Sequence, residues 1–468
     1  MLPGVCIRTP PLPWHDPERY HGLPTQREAR MTVKVAVLEE FPAPASASAL
    51  TRWYVLLVMC MVYTLSIADR YVISTVLEPI RLELHLTDSG VAFLTGVSLA
   101  LFYVSFGIPI SLVADRLNRR NIIAVSLIAW SVMTVLFGRA TSYGQLLAAR
   151  IGVGVGEAGG TPAASSIIAD YFPCARRPMA LTVFSLGAPL GAWVGYDVAG
   201  RIADAYGWRA VFLALGVPGI IFGTWVFFTV REPRRGQMDA VGSGRKPSII
   251  ETAKFLSGQR SAIHLMWASA LTALWGWGLT YWTPAFLMRS YGLSAGEAGG
   301  ITGPIHLIAG IAATVFTGWF LGRQFMNDAR RVVWFMGGAI GLATVPSIVI
   351  FWTHSLELAK VMLWIFIPSI YFYIGPCFGL LNNLAPPRMR AQFCAATLLV
   401  ANIGNLVVAP QLIGFLSDYF APGHIANAAS LRLALLCLAP TGFWSAYHYF
   451  SCARTLPEDQ ERALAAAH

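Results

Sequence analysis

Apolar runs about 20 residues or more in length recur along most of the chain, each closed by a short polar or charged stretch. They lie at 53–77, 91–113, 121–140, 145–170, 179–202, 208–230, 262–288, 298–322, 331–353, 357–383, 389–417 and 428–453. As a helix, each is long enough to cross a hydrocarbon layer, which takes about 20 mainly apolar residues. The pattern predicts an all-α membrane protein of twelve transmembrane helices. A polar interval at 231–261 divides the spans six and six, giving bundles over 51–230 and 262–453 with tails at 1–50 and 454–468. The 1–50 tail is rich in proline, alanine and charge, and is expected to be disordered. Within the linker, Ile249, Ile250, Ala253 and Leu256 fall at roughly helical spacing. Either a short helix on the membrane surface or a plain connector fits them.

The two halves repeat one another. LTDSGVAFLTG (86–96) aligns with LSAGEAGGITG (293–303), and the same offset carries Arg116 onto Arg323. GRIAD (200–204) matches GFLSD (414–418) at the ends of the fifth and eleventh spans. Paired six-span repeats related by an axis along the membrane normal are a transporter architecture, with substrate held between the halves near midplane.

Composition agrees: 56% of residues are hydrophobic and 12% charged, against about 25% charged in a soluble domain. The net charge of +10 is a topology signal rather than a sign of nucleic acid. One set of alternate loops receives Arg116, Arg119, Arg120, Arg176, Arg177, Arg231, Arg234 and further cations, the other only Arg81, Arg139, Arg201, Arg209, Arg289, Lys360 and Arg432. The richer side, with both termini, is expected in the cytoplasm. The seven scattered cysteines form no C-x-x-C pair and imply neither a disulfide framework nor a metal site. No N-x-S/T sequon occurs, which fits a bacterial inner membrane. No phosphate-binding loop or nucleophile elbow stands in a soluble context, so neither an enzyme nor a cofactor is expected.

Charges inside the spans carry the chemistry. IADRYVISTVLEPI (67–80) sets Asp69 and Arg70 in the first apolar run. A charge near the bilayer centre costs at least about 2.5–3.5 kcal/mol, so it faces the bundle interior and finds a partner. RIGVGVGEAGGTPAASS (150–166) adds Arg150 and Glu157 in the fourth span. Seven residues are two turns, about 10.5 Å along one face. Asp69 and Arg150 are expected at similar depth and in reach of one another, with the fourth-span glycines allowing close backbone approach. At the repeat offset the second half holds Gly276 and Trp277 instead of the charge pair. If the pair served the scaffold alone, the second half would be expected to keep it.

Two readings compete. In one, these charges are structural salt bridges, although buried pairs are often no more stabilising than apolar replacements. In the other, Asp69 and Glu157 take up and release protons while Arg150 alternates between a carboxylate and an anionic substrate. Arg70 either meets substrate head groups from another wall or snorkels outward as an anchor. Trp275, Trp277, Tyr281 and Trp282 form a cavity wall or an interface belt. Tyr196, Asp197, His306, Asn382, Asn383, Asn402, Asn405 and Gln411 are interhelical glue or cavity lining.

SLVADRLNRR (111–120) resembles the loop motif G-x-L-A-D-R-x-G-R-R of the major facilitator superfamily, with Ser111 and Asn118 where the motif has glycine. ADRYVISTVLEPI, ADRLNRRNII, ARIGVGVGEAGGTPAASSIIADYFP and GWR (207–209) together are similar to the Spinster family over about residues 60–235. The resemblance implies the major facilitator fold and transport of amphipathic lipids, sphingosine 1-phosphate or lysophospholipids, with proton coupling. It makes Asp69 and Glu157 the protonation candidates. Arg70 and Arg150 become candidates for the head group, and Tyr196 a cavity residue. Asp115, Arg116 and Arg120 would gate, in a charge network with REPRR (231–235) that changes as the halves rock. The expected partners are an amphipathic lipid, protons and the bilayer, with the chain acting as a monomer. The rival functions are a transporter of a small organic anion or drug, and a membrane sensor that binds ligand without moving it.

Overall fold

A computed structural model describes residues 48–98, 118–173, 176–234, 248–317, 328–386, 389–424 and 426–466. The gating candidates Asp115 and Arg116, Arg323 of the repeat, and nearly all of the 1–50 tail lie outside the described residues. Most helix starts carry a side chain that accepts from the first free backbone N–H groups, the groups a helix cannot satisfy itself. Ser48, Thr87, Asn118, Ser142, Ser248, Ser294, Asp328, Ser355 and Asn427 all do so.

The first half comprises α1 (Ala49–Glu83), α2 (88–98), α3 (Arg119–Gly138), α4 (143–171, broken at 158–159), α5 (177–206) and α6 (Trp208–Thr229). After the short α7 (Ile249–Ser257), the second half comprises α8 (260–291), α9 (Ala295–Phe316), α10 (Ala329–Trp352), α11 (Leu356–Leu384), α12 (390–420) and α13 (Ala428–Ala465). Among the described residues nine helices are long and apolar enough to cross a membrane. With 88–98, 143–171 and 260–291 they form two six-helix bundles, without a strand among the described residues. The linker resolves in favour of a helix: α7 forms, with Ile249 and Ile250 80% exposed. Residues 454–465, expected as a tail, continue α13, and buried Asp459 accepts from the Ser261 N–H at 2.7 Å.

Both ends of the described chain lie on one face, here the terminal face. The halves meet through α1 with α8, α5 with α9 and α2 with α12, in the part nearer the opposite face. Widened π-helical turns at 93–97, 194–198, 273–277 and 403–408 all fall on seam helices, where an extra residue per turn re-aims side chains. The halves differ inside. Among the described residues one buried apolar cluster runs through the second half and takes in Leu77, Val91 and Ala92 of the first. In the first half the described residues form one cluster with Val55, Val62, Ile123, Trp130, Ile167 and Phe172, and a second with Val72, Ile80, Phe137 and Leu146. Between those two clusters lies the level of Asp69, Thr134 and Arg150.

Candidate functional site

At that level α1, α3 and α4 each place a polar side chain. Asp69, Thr134, Arg150 and Glu157 are all buried. Close packing of α4 on α3 comes from glycine, as the sequence suggests: a Cβ at Gly156 would stand 2.8 Å from the Trp130 backbone nitrogen.

The four charged candidates converge, with pairings that differ from expectation. Arg150 does not form an ion pair with the Asp69 carboxylate; its Nη1 donates to the Asp69 backbone carbonyl at 3.5 Å. Arg70 is the partner of Glu157, donating from Nε at 3.0 Å and Nη2 at 2.9 Å to the same Oε2. Helical spacing places Arg150 and Glu157 on one face but leaves open which face of α1 they meet, and α1 turns Arg70 toward Glu157. Arg70 is therefore drawn inward rather than snorkelling. Glu157 Oε1 and Arg150 Nε are buried without a hydrogen-bond partner among the described residues. A water-sized void lined by Tyr63, Ser66, Trp130 and Glu157 lies alongside. From the second half, Tyr281 approaches Arg150.

The Thr134 hydroxyl is 3.0 Å from the Trp130 carbonyl and 3.3 Å from Asp69 Oδ1. It has a single hydrogen to give. When that hydrogen goes to the carbonyl, the Asp69 contact is a hydrogen bond only if the carboxyl is protonated and donates.

Tyr196 stands apart in the seam. It is fully buried, donates to the Thr280 carbonyl at 3.3 Å, and stacks on His306 with ring centroids 5.1 Å apart. Tyr71 packs on it at 5.0 Å and so joins the seam to the charged level. His306 Nδ1 is 2.8 Å from the Tyr371 hydroxyl. Trp275 and Trp282 are neither wall nor belt; both are fully buried in the second half, where Trp275 Nε1 donates to Ser347 at 3.1 Å. Trp277 alone of the set reaches Tyr71, at 6.1 Å.

On the terminal face the expected charge network forms around Arg119 rather than Arg120. Arg119 donates to Glu232 at 2.7 Å, Asp170 at 2.5 Å, Ser166 at 2.8 Å and the Pro233 carbonyl at 3.1 Å. The Arg120 guanidinium meets Asn121 and lies 5.0 Å from the Phe227 ring centre. Among the described residues these partners all belong to the first half or its end.

A second charged group joins the halves near the opposite face. Arg289 of α8 donates to Asp88 from both Nη atoms at 2.6 and 2.7 Å and to Glu78 from Nε at 2.7 Å. Arg81 holds the other side of Glu78 at 2.7 and 3.1 Å. The apolar count ends the first span at 77, one residue short of Glu78, and so overlooks this group.

Residues 59–409 match the Major Facilitator Superfamily. The crystal structure of a bacterial homolog to human lysosomal transporter Spinster, inward-facing and unoccupied, superposes with a TM-score of 0.79 at 30% identity, covering 88% of this chain and 99% of that one. The chain belongs to the Spinster branch of the major facilitator superfamily. Among Spinster relatives, a sphingosine-1-phosphate transporter of Danio rerio is 27% identical over 80% of this chain and 78% of its own length. An MFS-type efflux pump of Mycolicibacterium smegmatis is 28% identical over 83% of this chain and 89% of its own. This Spinster-family chain is thus a multi-pass membrane transporter rather than an enzyme.

Proposed function

We propose that this transporter moves an amphipathic lipid with one acyl chain and an anionic head group, coupled to protons, by alternating access between its two halves. The observation that carries the reading is the level at which buried Asp69, Arg150 and Glu157 meet partly buried Arg70, with acceptor and donor capacity left unused on Glu157 and Arg150 among the described residues. Buried polar atoms without partners are costly, and a site that must exchange protons and ligand has reason to keep them. Asp69 and Glu157 are the titrating groups. Neutralising Glu157 weakens its hold on Arg70, and Arg70 with Arg150 then meets the head group, for which a planar guanidinium is suited. Tyr196, in the seam between the halves, is the cavity residue of this reading. Asp115, Arg116 and Arg120 gate the terminal face, which is cytoplasmic in a bacterial inner membrane, and the chain works as a monomer. The sphingosine-1-phosphate transporter among its relatives supports this substrate class.

The test is uptake of a fluorescent lysophospholipid into proteoliposomes under an imposed pH gradient. Asp69→Asn is expected to lose at least tenfold of gradient-driven uptake while still binding lipid; undiminished uptake refutes proton coupling through Asp69. Unchanged lipid affinity in Arg150→Ala removes the head-group assignment. The similarity to an efflux pump favours a second reading, export of a small organic anion or drug. Competition of lysolipids against carboxylates and dyes in one thermal-shift panel separates the two.

A further inference from the structure

The two G-x-x-x-D segments of the repeat, 200–204 and 414–418, occupy equivalent places at the opposite-face ends of α5 and α12. Each ends in a carboxylate that reaches the first turn of a helix in the other half. Asp204 accepts from the Ser294 hydroxyl at 2.6 Å and the Gly296 backbone N–H at 3.0 Å, at the start of α9. Asp418 accepts from the backbone N–H groups of Asp88 at 3.0 Å and Ser89 at 2.8 Å, and from the Ser89 hydroxyl at 2.5 Å, at the start of α2. One turn earlier, glycine lets the chains come together. A Cβ at Gly200 would stand 2.5 Å from the Ala295 carbonyl oxygen, and one at Gly414 2.6 Å from the Asp88 carbonyl oxygen.

The first N–H groups of a helix have no partner within it, and the helix dipole favours negative charge beside them. Usually a residue just before the helix supplies the acceptor. Here Thr87 and Ser294 already cap their own helices, and the aspartates add a second acceptor from across the seam. These bonds cross from one half to the other, so separating the halves at this face breaks them.

We propose that Asp204 and Asp418 are positioning residues of the transport cycle, a symmetry-related pair of latches that hold the opposite face closed by capping helices of the other half. The proposal rests on the alternating-access reading above. The latches are unequal. Asp418 grips a turn whose Asp88 is itself held by Arg289 and by the Ser417 hydroxyl at 2.7 Å. The Asp204 bonds are solvent-exposed, where water competes for both partners. Asp204 releases first, and Asp418 sets most of the resistance to opening.

Hydrogen-exchange mass spectrometry on the whole protein, without substrate, tests this independently of what is transported. Asp418→Asn is expected to speed exchange in residues 86–92 by at least tenfold, and Asp204→Asn to speed it in 293–299 by less. In the double variant, 177–183 and 390–396, the terminal-face ends of α5 and α12, become more protected as that face closes. Gly200→Ala, which keeps both carboxylates but forces the seam apart, gives the same reciprocal pattern and carries the test if an aspartate variant does not fold. Faster exchange confined to 86–92 or 293–299, or no change anywhere, overturns the proposal. Loss of lipid uptake with the reciprocal pattern intact tells against the lipid reading alone.

Discussion

Replacing Arg289 by Gln removes the guanidinium that joins α8 to Glu78 and Asp88. The Arg289 side chain is 5% exposed and those of its partners 8% and 0%. Removing one member of a buried pair costs about 3–5 kcal/mol. The lower end applies here, because Glu78 keeps Arg81 and Asp88 keeps the Ser417 hydroxyl. All the lost bonds span the halves, so the loss falls on the state in which this face is closed. At 1.36 kcal/mol per decade, about 3 kcal/mol shifts the closed-to-open ratio about 150-fold. Arg289→Lys keeps the charge but not the fork, and is expected to shift it about tenfold or less. Spin labels at positions 144 and 354, both exposed on this face, report the change as a longer-distance population in a cysteine-free background. An unchanged distance distribution together with an unchanged melting temperature in Arg289→Gln refutes the reasoning.

Arg119→Ala strips two carboxylates of a buried partner and is expected to cost about 3–5 kcal/mol. Arg120→Ala loses mainly an exposed ring contact worth about 0.5–1 kcal/mol; equal falls in detergent melting temperature would contradict this ranking. Gly156→Ala forces a methyl against Trp130 and is expected to destabilise by about 1–3 kcal/mol, read as a lower thermal midpoint. Ile249→Ser with Ile250→Ser removes the apolar face of α7. Faster proteolysis within 231–261 at an unchanged melting temperature is the expected outcome, and unaltered proteolysis counts against a membrane-resting helix.

The helical spans were legible because twenty apolar residues leave few alternatives, and the charged level was legible because four ionisable side chains in apolar runs need one another. Pairing was not. Sequence spacing gives the angle between Arg150 and Glu157 on α4, but the rotation of α1 against α4 depends on packing with α3 and α5. Hence Arg70 was left between two roles, and Asp69 was given a partner it meets only through its backbone. Arg81 and Arg289 count as loop cations because hydropathy treats any charge as an exit from the membrane; ion-paired at a helix end, their side chains are only 12% and 5% exposed. The aromatic residues of α8 failed differently: Trp275 and Trp282 satisfy or hide their indoles inside the second bundle, which composition cannot distinguish from a belt.

The broken core of the first bundle has a mechanical consequence. Its apolar packing is divided at the depth where α4 itself loses helical continuity, at Ala158 and Gly159, next to Glu157. A helix jointed there can bend beside the Glu157 carboxylate, so that its two segments need not move together.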